Sequence, residues 1–371
     1  MGMDAEALGR RIGEARGRAG VTQAELATEV GIDRSAIAKI ESGQRRVSAV
    51  ELGRTAAALQ MRIEWFLDDA PHALVSRRNA QDPGSPSPRI DAMAERITRE
   101  VEFVLRHDDR ITPAAVQART MPETAAGAEE LAATARNLLR VPLDGPCTGL
   151  AEKVAAVGLF PFSLDLGAES ADAATVLLDT GGVAIVNGGL RVGRRRLALA
   201  HELGHFLVAD DYAVDWRIAE TLGAEHREAL FDRFARALLL PAQSLRAVWE
   251  QHTSADGDTR TAAVRIASSY RVDMATLARR LIELGLAARP DADRIRATRT
   301  NRADIVELDL VVGDELAPPA LPREYERAVL RLFRSESITA ARAMDLLLDT
   351  WTEDMLPTLP QRGEDQIWQY I

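Results

Sequence analysis

The sequence predicts a mainly α-helical chain with one small β-sheet, the α+β class, spread over more than one domain. Three observations carry this expectation. Apolar residues recur at helical spacing, with capping signals at the segment starts, over most of the 371 positions. Short β-branched runs broken by glycine cluster in one stretch, Leu150 to Asn187. A chain of 371 residues, 46% of them hydrophobic, is enough for two or three separate cores.

Composition narrows the function before any motif is considered. No apolar run approaches the roughly 20 residues of a membrane span, so no membrane association is expected. The opening segment, MGMDAEALGRRIGEARGRAG, has no apolar stretch behind its charges, which argues against a secretory signal and for a cytoplasmic place. The single cysteine, Cys147, builds neither a disulfide framework nor a cysteine-rich zinc finger. Any metal must therefore be held by histidines and carboxylates. A net charge of -10 argues against a chain that coats nucleic acid along its whole length. Residues 1–67 depart from that average, with ten basic side chains against nine acidic ones.

The first element group spans residues 4–67. Thr22 and Glu25 form a T-x-x-E capping box that starts a helix at Gln23. That helix buries Leu26, Ala27 and Val30, and Gly31 makes the turn. Asp33 is placed to cap the next helix, with Ile32 and Ile37 at the hydrophobic-staple positions. Gly43 ends it, and Ser48 with Glu51 begins another. Two short helices about a glycine turn, inside a bundle of about five, form a helix-turn-helix pattern. The second helix presents Arg34, Ser35 and Lys39, and the loop after it carries Arg45 and Arg46. From Arg34 to Arg46 four basic residues face Glu41 alone, a local charge of +3. Arginine pairs with guanine edges, while Lys, Arg, Ser and the amide of Gln23 at a helix start hold phosphates.

The run TQAELATEVGIDRSAIAKIESGQRRVS closely resembles the Xre/Cro family of repressor domains, over about residues 4–67. The resemblance implies a double-stranded DNA operator as partner and binding as a homodimer. It implies that Arg34, Ser35 and Lys39 face bases and Gln23 a phosphate, and Glu41 is expected to pair with Arg10 structurally.

Residues Ala70 to Arg89 contain Pro, Gly and Ser without apolar period and are expected to form a linker. Ile90 to Arg106 then reads as one amphipathic helix with Met93, Ile97, Val101 and Val104/Leu105 on one face, serving as spacer, dimer seam or packing element. Helical pattern resumes near Gly127. After the β-branched stretch, the chain from Arg194 to Leu286 is helical again. From Asp291 onward the reading is a strand at Ile305–Val312 and two or three helices.

The strongest chemical signal is His201-Glu202-Leu203-Gly204-His205. On a helix, positions i and i+4 share a face, so both imidazoles can reach one ion. Glu202 stands beside them in the general-base position without being a ligand. The next amphipathic helix carries Glu228 and Asp232 in E-x-x-x-D spacing. Catalytic zinc takes three protein ligands, here two His and a Glu, and leaves a fourth place for water. Asp232, one turn on, suits the carboxylate that accepts the free N–H of a ligating histidine.

Arg194–His205 and Glu228–Pro241, preceded by AIVNGGLRVGRRRL, resemble the ImmA/IrrE metallo-endopeptidases over about residues 127–290. The resemblance implies a zincin-like peptidase that cleaves a partner repressor to switch on genes, with His201, His205 and Glu228 as zinc ligands and Glu202 as the catalytic residue. The family usually carries Ala-Asn where this chain has Phe231-Asp232. Asp keeps the same hydrogen-bonding role, and Phe231 narrows the site.

The expected division is therefore residues 1–69 as DNA-binding domain, 70–126 as linker and helical spacer, 127–290 as peptidase domain, and 291–371 as a mainly helical region of unassigned role. His226 and His252, and Tyr212 and Tyr270 for oxyanion support, are secondary site candidates. The triplet Arg194–Arg196 is expected to frame the metal helix through salt bridges, and Cys147 to be inert. Thr261–Gly285 reads as a second helix-turn-helix-like pair with a structural role. Pro322–Leu347 reads as a helical pair that binds a partner, an effector or a second protomer. Function follows as a DNA-binding regulator with a zinc endopeptidase domain acting on a repressor, another protein or itself, in stress or phage and mobile-element control. The alternative is a non-proteolytic transcription factor or antitoxin-like regulator whose metallopeptidase-like domain senses a ligand or binds a partner.

Overall fold

The computed structural model describes residues 5–19, 21–59, 63, 66, 74–78, 88–111, 113, 118–168, 170–208, 224–256, 258–310 and 313–359. The chain divides into two compact units, Met1–His72 and Ala73–Ile371, and the α+β expectation holds: helices dominate and one small sheet accompanies them.

The first unit contains α1 (Ala5–Arg18), α2 (Gln23–Val30), α3 (Arg34–Glu41) and α4 (Ala49–Ala58). Both capping boxes form: the Thr22 and Ser48 hydroxyls accept from the backbone N–H of Glu25 and Glu51, whose carboxylates accept in return. Gly31 adopts the left-handed conformation, φ 77°, that ends α2 and turns the chain into α3. Asp33 stands at the N-cap of α3, but its side chain makes no cap hydrogen bond. Ile12, Leu26, Val30, Ile37, Ile40, Leu52 and Phe66 close the core. The fifth helix expected here falls on residues 60–69, of which only positions 63 and 66 are described.

The second unit is built on a four-stranded sheet of β1 (Leu74–Arg78), β2 (Leu159–Leu164), β3 (Ala173–Leu177) and β4 (Gly182–Asn187), in the order β1-β3-β4-β2. β3 runs antiparallel to both neighbours, and β2 runs parallel to β4. β1 lies within the segment expected to be linker. Its pairing with β3 uses main-chain groups, which leave no trace in side-chain periodicity.

Alternation along the central strand β4 divides the unit into layers. Val183 and Ile185 face one side, where α5 (Pro88–His107) buries Ile90, Ala94, Ile97, Val101 and Val104, alongside α15 (Arg323–Arg334) and α16 (Ala340–Leu346). The amphipathic helix predicted at 90–106 is thus a covering helix of the sheet. Ala184 and Val186 face the other side and the larger core. That core gathers α6 (Ala125–Leu138), α7 (Leu150–Ala156), α8 (Val192–Leu207), α9 (Ala224–Leu239), α10 (Ala242–Asp256), α11 (Thr259–Tyr270), α12 (Met274–Glu283) and α13 (Arg289–Ala297).

The strand expected at Ile305–Val312 is not formed over its described part. Asn301 and Asp304 cap one another's backbone N–H, and the resulting box starts helix α14 (Arg302–Glu307). A local capping signal outweighs the β propensity of Ile305 and Val306.

Candidate metal centre

α8 is buried along nearly its whole circumference, charged residues included. Its start is held by the basic triplet as expected. Arg194 grips Asp172 with two bonds of 2.8 and 2.7 Å, Arg195 meets Asp314, and the fully buried Arg196 meets Glu315. The α11–α12 turn packs so closely on Gly193 that a Cβ there would stand 2.4 Å from the Asp273 nitrogen. The second helix-turn-helix-like pair therefore closes this unit.

His201 and His205 lie one turn apart on α8, with ring centroids 4.9 Å apart, and both are buried. α9 crosses α8 at Gly204 against Phe231 and Phe234, and the Phe231 ring lies 3.9 Å from that of His205. The crossing delivers Glu228 and Asp232 to the histidines. Asp232 Oδ1 is 3.0 Å from His201 Nδ1. A carboxylate can only accept, so Nδ1 carries the proton and Nε2 turns a lone pair inward.

That lone pair meets other acceptors. His201 Nε2 is 3.1 Å from His205 Nε2 and 3.1 Å from Glu228 Oε2, and His205 Nε2 is 3.6 Å from Glu228 Oε1. Burial acts to raise the Glu228 pKa, but a proton or other cation shared with the facing imidazole nitrogens outweighs it and holds the carboxyl well below the usual carboxylate range. Three donor atoms within 4.8 Å of one another can hold a metal ion. The carboxylate turns a different oxygen to each histidine, and the three separations of 3.1, 3.1 and 3.6 Å lie about the ~3.3 Å edge of a tetrahedron whose bonds are about 2.0–2.1 Å, the zinc–nitrogen and zinc–carboxylate range. Converging lone pairs repel, and a cation between them removes the repulsion. The residues present fit the group.

Glu202 is fully buried, and neither carboxylate oxygen has a hydrogen-bond partner among the described residues. A buried carboxylate left in that state costs about 1–3 kcal/mol or more, which marks a group kept for something other than stability.

The remaining candidates separate. His226 is exposed, with Nε2 3.3 Å from the Glu123 carbonyl. Tyr270 is buried with its hydroxyl against Ser244. His252 lines a different pocket, with Arg265, Ser268 and Ser269. Tyr212 lies outside the described residues. Cys147 is buried, and burial pushes its thiol pKa up, in keeping with an inert group. Sequence reasoning stopped at Asp232; the ladder runs on to Arg236, 3.7 Å from Asp232 Oδ2.

In the first unit, Arg34, Ser35 and Lys39 stand exposed on α3, and Arg46 is exposed after it. Arg45 is tied to Glu51 at 2.6 Å. Gln23 Nε2 donates to Glu41 Oε2 at 2.8 Å. The pairing expected between Glu41 and Arg10 does not occur. Glu41 takes Arg16 in two bonds of 2.6 and 3.1 Å, and Arg10 pairs with Glu6 one turn back. Gly9 abuts the Ile40 carbonyl and Gly13 the Glu41 chain, so that chain runs toward the end of α1 where Arg16 stands.

Residues 12–66 match the family described as helix-turn-helix, and residues 157–282 match the IrrE N-terminal-like domain. The chain joins an Xre-type helix-turn-helix domain to an IrrE/ImmA-like domain. It is a DNA-binding regulator that carries a peptidase-family domain. The IrrE-like match takes in β2, β3, β4 and α8 through most of α12, and thus every residue of the metal centre. Among solved structures, the restriction-modification controller protein C.AhdI from Aeromonas hydrophila is 35% identical over 17% of this chain and 96% of its own, with a TM-score of 0.17. ComR from Streptococcus suis is 15% identical over 96% of this chain and 97% of its own, with a TM-score of 0.18. No curated protein matches the chain.

Proposed function

We propose that this protein is an operator-bound regulator whose IrrE-like domain is a zinc-dependent endopeptidase acting on a repressor or another protein partner. The observation that carries the reading is a buried Glu202 without a hydrogen-bond partner among the described residues, beside the donors of His201, His205 and Glu228.

His201, His205 and Glu228 would hold the ion, and Asp232 would orient His201 through Nδ1. Zinc, when bound, supplies a Lewis acid that polarises a peptide carbonyl and activates water. Glu202 takes a proton from the attacking water onto a carboxylate oxygen and passes it to the amide nitrogen as the C–N bond breaks. The products are a new carboxylate and a new amine. The apolar backing of α8 and the Phe231 ring on His205 keep bulk water from one side of the site.

The helix-turn-helix domain supplies location. Arg34, Ser35 and Lys39 would read base edges, and Arg46 would hold phosphate, with Gln23 and Arg45 assisting from positions where they also brace the domain. Binding as a homodimer to paired half-sites follows from that mode of reading. A tethered peptidase then acts at raised effective concentration on a repressor bound at the same or a neighbouring operator.

The test pairs metal analysis with cleavage. Wild type is expected to hold about one zinc per chain and to cleave a co-expressed repressor on immunoblot after the inducing stress. Glu202→Gln is expected to keep the zinc and lose cleavage, because the residue is not a ligand. Full cleavage by the Gln variant would end the peptidase reading and favour a sensor or partner-binding domain.

A further inference from the structure

α9 carries more than the ligand and its neighbour. Glu228, Asp232 and Arg236 follow one another at four-residue spacing, so they line one face of the helix. The Arg236 side chain is only 10% exposed, and its Nη1 lies 3.7 Å from Asp232 Oδ2, while Oδ1 takes His201. Its other donors go to α12. Nε is 3.0 Å and Nη2 2.8 Å from Glu283 Oε1. Glu283 is itself buried and lies 3.5 Å from Arg280, which is fully buried and binds Glu129 with two bonds of 2.6 and 2.7 Å. Arg233, one helical turn before Arg236 but turned toward α6, ends on the same Glu129 at 3.0 Å. A chain of charges thus runs from the metal centre through α9 into α12 and α6.

We propose that Arg236 is a positioning residue of the metal centre, held in place by Glu283 so that it steadies the Asp232 carboxylate and, through it, the His201 ring. The inference rests on the metal reading above. Glu228 and Asp232 are like charges one turn apart, and both are partly exposed, so their repulsion acts to part them. At 3.7 Å Arg236 acts on Asp232 by charge more than by a short hydrogen bond. It offsets the repulsion and draws Oδ2 away, which leaves Oδ1 on Nδ1. The planar guanidinium, with two donors fastened on Glu283, cannot follow Asp232 outward. His201 then keeps Nε2 facing the ligand triangle before any ion arrives. Loss of a direct carboxylate partner of a ligating histidine weakens metal binding about 10–100-fold. Arg236 acts one step further out, so a loss of about tenfold is expected.

The full chain is stripped with chelator and titrated with zinc against a chromophoric competitor. Cobalt is titrated separately, and its visible absorption reports ligand geometry. Arg236→Gln is expected to lower zinc affinity about tenfold and shift the cobalt bands, with Arg236→Lys recovering part of the loss. Arg233→Gln is the control, since it removes an arginine of the same network whose recorded partner is Glu129, and it should leave both readouts unchanged. Glu283→Gln, which frees Arg236 without removing it, should weaken zinc in the same direction. Equal zinc affinity and unchanged cobalt bands in Arg236→Gln would overturn the inference, as would an equal loss in Arg233→Gln. Should Arg236→Gln fail to fold by circular dichroism, wild-type affinity in both Arg236→Lys and Glu283→Gln would overturn it too. A wild-type chain that takes up no zinc, or whose uptake survives His201→Ala, would instead remove the metal reading itself, and the inference with it.

Discussion

A Cβ at position 204 would stand 2.9 Å from ring carbons of both Phe231 and Phe234. Glycine there lets α9 approach α8 closely enough for Glu228 to reach the two histidines. Two effects compete when it is replaced. Alanine improves helix propensity by about 1 kcal/mol, while overpacking against two buried rings costs about 1–3 kcal/mol. Gly204→Ala should therefore destabilise the protein by about 1 kcal/mol in denaturant unfolding. Zinc titration should show a larger effect, since a shift of a few tenths of an ångström at the crossing moves Glu228 directly. Unchanged zinc affinity would mean that the crossing does not set the ligand geometry. The neighbouring Glu202 illustrates the converse: burial without a partner among the described residues costs stability, in keeping with the catalytic role proposed for it.

Single elements differ in how they use their charges. α3 keeps Arg34, Ser35 and Lys39 in solvent, and among the described residues the Arg34 and Lys39 side chains meet no hydrogen-bond or ion-pair partner. Arg45, by contrast, is committed to Glu51. Arg34→Ala should cost about 1–3 kcal/mol of DNA affinity and relax sequence preference, as loss of a bidentate base contact does. Arg46→Ala should weaken all duplexes alike and reduce the salt slope by about one. Arg45→Ala should have a smaller effect than Arg46→Ala, because its guanidinium is already neutralised by Glu51. Fluorescence anisotropy with duplexes selected in vitro, across a salt series, separates the three. Equal effects for Arg45 and Arg46 would show that DNA draws Arg45 off Glu51.

At the scale of the whole molecule, two units with separate cores predict two unfolding events. Among the described residues, the group of metal donors lies in the second unit. Zinc at a thousandfold excess over its Kd stabilises the unit that binds it by about 4 kcal/mol. Scanning calorimetry should show two transitions, with added chelator lowering one and leaving the other in place. A single transition, or a common shift of both, would show that the units fold as one. The same scale explains why α5, α15 and α16 belong with the sheet: its second face carries Phe160, Phe162, Val183 and Ile185, which these helices remove from water.

Much of this protein was determined by local sequence. Capping boxes at Thr22 and Ser48, the glycine turn at Gly31, and the i, i+4 spacing of His201 and His205 act within a turn or two of chain, so their outcome could be read without tertiary context. Glu228 and Asp232 were legible for the same reason, one helix period apart on a second amphipathic segment. Tertiary structure decided what depends on which helices meet. It gave Glu41 to Arg16 and Gln23, because the direction of a side chain across a helix crossing is set by packing at Gly9 and Gly13. It drew Leu74–Arg78 onto β3 through backbone bonds that side-chain patterns do not encode. The Asn301–Asp304 box that makes Ile305–Val306 helical is local as well, and the strand expected there overlooked it in favour of β-branched side chains. Tertiary structure also set Arg236 between Asp232 and Glu283, whose partnership spans 47 positions of sequence and exists only because α12 packs on α9.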